Sequence, residues 1–131
     1  MFRLKALPLI AAFIIFSASS YGKSVTREET LLVDLSSSRT IDSVKGQKIG
    51  LPANISPGAH THPCPVIGYI LEGTVIYQIE GQPAKTLNAG DSFYEPENTV
   101  VLRFDTQNEP VKFLAYYLTK EGDEPLVKMI K

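Results

Sequence analysis

From Val66 to Leu118 every apolar run is cut by Gly, Pro, Asn or Asp before it reaches the length of an ordinary helix, and that spacing restricts the chain to short strands. Val66–Leu71 reads as a strand, Glu72 and Gly73 as a tight turn, Thr74–Glu80 as a second strand, Gly81–Pro83 as a turn, and Ala84–Leu87 as a third strand. "NAGDSFYEPEN" gives a turn, a short aromatic strand and another turn at Pro96–Asn98. "VVLRF" at 100–104 and "VKFLAYYL" at 111–118 are two more strands, and the tail "EPLVKMIK" reads as a final strand or a short helix, with strand preferred. Nine Gly and nine Pro supply the turns. Upstream, "LLVDL" at 31–35 is β-prone, "SSSRTIDSVKGQ" is rich in turn formers, and "KIGLPANISPGA" resumes an extended pattern. Strands arriving every ~8 to 12 residues describe an all-β antiparallel sandwich or small barrel.

Length and charge narrow the remaining choices. One domain fits 131 residues, and a formal net charge of −1 with scattered lysines and arginines argues against nucleic acid as a partner. The opening "MFRLKALPLIAAFIIFSASSYGKS" has a basic start at Arg3 and Lys5, an apolar run from Ala6 to Phe16, and small residues at 17–20. That order describes a secretory signal peptide, since roughly a dozen apolar residues fall short of the ~20 that span a bilayer. The expected organisation is a signal peptide at 1–20, a flexible polar lead-in at 21–30 and one β-domain at 31–131. Periplasmic or secreted placement follows, with no membrane partner once the leader is removed. Cys64 has no second cysteine to pair with, so it is either a small buried residue or a thiol near the site.

The chemistry concentrates in "AHTHPCPVIGYILEG", which holds the chain's two histidines, His60 and His62. In a strand, residues two apart share a face about 6.5 Å apart at ~3.3 Å rise per residue, so both imidazoles can converge on one ion. Imidazole nitrogen suits Zn, Fe, Ni, Cu and Mn. The plainer reading is a polar strand edge with each ring satisfied by water or backbone. Absent a P-loop, a GxGxxG turn or a GxSxG elbow, nucleotide cofactors and serine-nucleophile hydrolysis have no support.

"PGAHTHPCPVIGYILEG" followed by "NAGDSFYEPEN" resembles the paired motifs of the cupin superfamily, across roughly residues 50 to 118. His60, His62 and Gly73 match the first motif, Pro57 and Gly58 form the turn before it, and Gly90, Asp91 and Pro96 match the second. The resemblance implies a cupin-type double-stranded β-helix, a divalent metal ion and a small-molecule ligand or substrate in the barrel, with homodimers formed through strand edges. Dioxygenase, isomerase, lyase and decarboxylase activities all occur on this fold, and the fold does not choose among them.

Two positions depart from the pattern. Val66 stands where the first motif carries its Glu, and Val101 where the second carries its His. Neither valine can hold a metal, so either substitute side chains complete the site, with Glu95, Glu97, Tyr94, Tyr69 and Cys64 as the candidates, or two His and waters hold a metal loosely. Glu95 comes first, because it ends an aromatic strand where a structural residue is more often apolar; an outward-facing carboxylate is its plain alternative. The metal group read from the sequence is therefore His60, His62 and Glu95. A metal-free binding module remains the second reading. Gly58, Gly73 and Gly90 are expected at positive φ, Asp91 is expected to hydrogen-bond turn backbone, and the aromatics from Tyr69 to Tyr117 are expected mainly to pack.

Overall fold

The computed structural model describes residues 24–131; the signal-peptide reading of 1–20 lies outside them. Nine strands follow in order: β1 (Ser43–Leu51), β2 (His60–Thr61), β3 (Val66–Glu72), β4 (Thr74–Ile79), β5 (Lys85–Asn88), β6 (Ser92–Glu95), β7 (Val101–Thr106), β8 (Val111–Thr119) and β9 (Lys128–Met129). They form two antiparallel sheets, one ordered β1-β8-β3-β6 and the other β5-β4-β7-β2-β9. No helix occurs among the described residues.

Alternation builds the interior. Along β8, Val111, Phe113, Ala115, Tyr117 and Thr119 are buried while the residues between them are exposed or half-buried, as a period of two requires when one face of a sheet is covered. β4 does the same with Val75, Tyr77 and Ile79. Between the sheets Phe93 lies within 6.0 Å of Tyr77, Phe104 and Phe113, ring centroid to ring centroid. Gly68 makes room for it. The two residues are cross-strand partners, and a Cβ on Gly68 would sit 1.9 Å from Phe93 Cζ.

Gly73 is a corner more than a hairpin. β3 and β4 are consecutive but belong to different sheets, so the chain must change layers within one residue. Gly73 does so at φ 85, where a Cβ would meet the Pro110 carbonyl oxygen at 2.5 Å. Gly58 and Gly90, both at φ 97, also take the left-handed region, and Asp91 accepts a hydrogen bond from the Asn88 backbone amide at 2.7 Å.

Two upstream expectations are corrected. "LLVDL" at 31–35 forms no strand, and Leu32 and Leu35 are exposed: strand propensity is expressed only where a neighbouring strand accepts the ladder. Conversely, residues 43–47, read as turn formers, belong to β1. Each of them from Ser43 onward pairs with a residue of β8, and the ladder overrides local preference. The N-terminal stretch is instead fastened by Arg39, whose guanidinium grips Glu97 and Asp123.

Candidate metal centre

His60 opens β2, where it pairs with Val101 of β7 and Met129 of β9. His62 follows just past the strand, held because its carbonyl accepts the Asn98 backbone amide at 2.7 Å. Asn98 takes φ 56 at the end of the Pro96 turn. The second motif's turn thus fixes the first motif's histidine. The two imidazoles lie 5.0 Å apart, edge to face, on the wall of one cavity.

Both rings are oriented by backbone. His60 Nδ1 donates to the Gly58 carbonyl at 2.9 Å and His62 Nδ1 to the Leu126 carbonyl at 2.7 Å. With Nδ1 occupied as a donor, a neutral ring keeps Nε2 as its lone-pair nitrogen, the tautomer a metal requires. The backbone contact that the plain reading assigns to these residues is present, and it engages Nδ1 rather than Nε2.

Glu95 closes β6 and is buried, with 4% of its surface exposed; the outward-facing alternative does not hold. Its position also accounts for Val66. Val66 of β3 pairs with Glu95 on one side and Tyr117 of β8 on the other, so Tyr117, Val66 and Glu95 form one rung with side chains on the same face. The rung thus carries a carboxylate one strand away from the position where the motif has its Glu. Among the described residues no further His, Cys, Asp or Glu joins the group in place of the His expected at Val101, which is fully buried and paired with His60.

Ligand atoms of His60, His62 and Glu95 all lie within 4.8 Å of one another. Glu97, another candidate, is engaged by Arg39, and Cys64 is wholly buried outside the group. Tyr69 and Tyr94 are half-buried and do not line the cavity. Two nitrogens and one carboxylate oxygen with open positions form a donor set suited to a divalent first-row ion. The residues fit that group.

Charge tells the same story. A buried carboxylate needs a cation or several donors. Glu95 faces His62, with Nε2 2.8 Å from Oε2. Burial lowers the His62 pKa, but the hydrogen bond and negative charge of Glu95 and the Leu126 carbonyl outweigh it and raise the ring above its ordinary value. A protonated His62 would balance Glu95 where no ion is bound, and a bound ion would supply that positive charge instead. Burial first, then Glu95, pushes the Tyr77 and Tyr117 phenols up, so both remain protonated.

Sequence reasoning did not single out Tyr117, whose ring centroid stands 5.7 Å from that of His62, although alternation along β8 marks it as inward. The Leu126 carbonyl has no such signal, because a backbone acceptor 64 residues away leaves no trace in composition. Beside His60, His62 and Glu95 lies a cavity of about 160 Å³ walled largely by apolar side chains from both sheets.

A comparison with curated protein sequences finds no match. Among solved structures, the chain is similar to the DMSP lyase DddQ from Ruegeria pomeroyi, at 25% identity and TM-score 0.60 over 67% of this chain and 43% of that one. It is also similar to a cupin-like protein from Thermotoga maritima (22%, TM-score 0.58, 66% and 64%) and to the polyketide cyclase RemF from Streptomyces resistomycificus (16%, TM-score 0.56, 67% and 61%). The chain spans less than two thirds of each of these proteins. Residues 49–117 match the profile of the cupin domain. That match brackets both motifs and the His60–His62–Glu95 group, and the chain belongs to the cupin family.

Proposed function

We propose that this protein is an exported single-domain cupin that binds a divalent first-row metal ion through His60, His62 and Glu95 and receives a small molecule in the adjoining cavity. The observation that carries the reading is the convergence of three possible ligand atoms within 4.8 Å, with both Nδ1 atoms turned to backbone carbonyls so that each Nε2 is the nitrogen left to meet an ion. A bound ion would supply Lewis acidity or oxygen chemistry at its open positions. The chain's own residues orient the ligands, exclude bulk water with the apolar wall and keep the Tyr117 hydroxyl protonated beside the site. Among activities of this fold, a lyase reaction has the added support of 25% identity to a DMSP lyase. The apolar Ala6–Phe16 run behind a basic start supports export.

Elemental mass spectrometry on the purified protein tests the metal reading. Near-stoichiometric metal that disappears in His60→Ala/His62→Ala and falls in Glu95→Gln is the expected result; equal background in all three overturns it. Fractionation of expressing cells with N-terminal sequencing tests export, and a full-length cytoplasmic protein overturns that part. One observation favours a second reading, a metal-free binding module: the 2.8 Å contact between His62 and Glu95 satisfies both groups without an ion.

A further inference from the structure

The cavity beside the three ligands has an unusual wall for a site that would take small polar acids. Among the residues lining it there is neither Lys nor Arg. Away from His60, His62 and Glu95 the surface comes mainly from Ile49, Leu51, Phe104, Phe113, Val127 and Met129. Met129 and Val127 are also 55% and 43% exposed, so the rim through which a ligand enters is apolar as well. At about 160 Å³ the space matches a cavity of about 150 Å³ lined by Leu, Ile and Phe that holds one benzene.

We propose that this cavity takes a single-headed molecule whose apolar body is the size of one six-membered ring and whose polar head carries at most one negative charge. The inference rests on the reading of the site as a metal centre for its head end and on the wall for its body. A divalent ion held by two neutral imidazoles and one carboxylate keeps one net positive charge, which balances one anionic head. A second charge on the ligand would be buried against phenylalanine and isoleucine without a counter-ion, at a cost no nearby group offsets. Sugars and other polyols are disfavoured too, because the wall offers few donors and acceptors for their hydroxyls.

Isothermal titration of the metal-loaded full chain with benzoate, acetate and terephthalate tests this. Benzoate carries ring and head, acetate lacks the ring, and terephthalate adds a second charge at the far end; 4-methylbenzoate controls for its length. Benzoate and 4-methylbenzoate binding at least tenfold more tightly than either other acid is the expected result. Acetate or terephthalate binding as tightly as benzoate overturns the proposal. Ala115→Leu, which fills the cavity from β8, is expected to weaken benzoate at least tenfold while metal content stays at the wild-type level; unchanged benzoate binding counts against the cavity. Should that variant not fold, a crystal soaked with 4-bromobenzoate locates the ring: bromine against Ile49 and Phe113 supports the assignment, and bromine in solvent overturns it. A chain that binds no metal defeats the metal reading alone. The cavity is then tested with toluene, whose binding supports the apolar ring pocket and whose failure to bind removes it.

Discussion

The aromatic cluster and the His–His–Glu group share one interior and answer to different physics. Phe93, Tyr77, Phe104 and Phe113 stack at centroid distances of 4.8 to 6.1 Å, contributed by β6, β4, β7 and β8. Their job is to fill volume, and any residue of suitable size and apolarity does part of it. The ligand group depends on single atoms: one nitrogen on each of two rings and one carboxylate oxygen. A core forgives exchange of chemistry at constant shape; a coordination site forgives exchange of position at constant chemistry, and in the proposed centre Glu95 takes the role of the acid expected at 66, its partner across the rung.

Breaking the cluster should have the largest effect. Phe93 is 2% exposed and lies over Gly68, which has no side chain to fill the space it would vacate. Phe93→Ala is expected to destabilise the protein by about 3 to 5 kcal/mol in a denaturant titration. A loss below about 1 kcal/mol would mean that the sheets collapse onto the void and that the cluster is less tightly packed than its geometry indicates.

The exchange of position is sharpened by moving the carboxylate back. Glu95→Val alone should lower metal affinity by at least the ~10- to 100-fold typical of losing a supporting partner of a metal site. Val66→Glu with Glu95→Val returns the acid to the neighbouring strand of the same rung, between Tyr117 and position 95. Equilibrium competition with a chelator is expected to show the double variant recovering at least tenfold of the affinity lost in the single one. No recovery would show that the rung does not interchange its positions.

Much of this contrast was legible in the sequence, and what escaped did so for identifiable reasons. The strands from Val66 to Leu118 follow from turn residues and period-two patterning, since each is a local property. The proximity of His60 and His62 follows from their spacing, whereas His62 itself lies past β2 and is held by the Asn98 amide. The status of residues 31–47 was not legible, because β1 exists through its ladder with β8, some 70 residues away, and the same absence of a partner leaves 31–35 without a strand. Glu95 could be nominated from its place after an aromatic strand; that it stands opposite Val66 required the register. The Leu126 carbonyl that orients His62 and the grip of Arg39 on Glu97 and Asp123 are long-range contacts with no local signature.

Gly73→Ala probes a point on which both regions depend, the layer change between β3 and β4. At φ 85 an alanine is strained whatever the space, and here its Cβ would also meet the Pro110 carbonyl. A loss of about 1 to 3 kcal/mol is expected from the strained backbone, read as a lower denaturation midpoint. An unchanged midpoint would place the corner elsewhere.

The smallest effect separates the two states of the site by pH. In the metal-free protein the His62 pKa stands above its ordinary value of 6.5, because Glu95 and the Leu126 carbonyl outweigh burial. A folded-state pKa above the unfolded one means that the folded chain holds the proton more tightly. The stabilisation is therefore complete below about pH 6.5 and is lost as pH rises through the folded value. Metal binding carries the opposite sign, since an ion and a proton compete for the same Nε2, so acid weakens the loaded form. Thermal melts of metal-free and metal-loaded protein between about pH 5.5 and pH 8 should thus diverge as pH rises, the metal-free Tm falling while the gain from metal grows. Parallel curves would mean that the proton and the ion do not share His62, and the substitution of one for the other beside Glu95 would have to be abandoned.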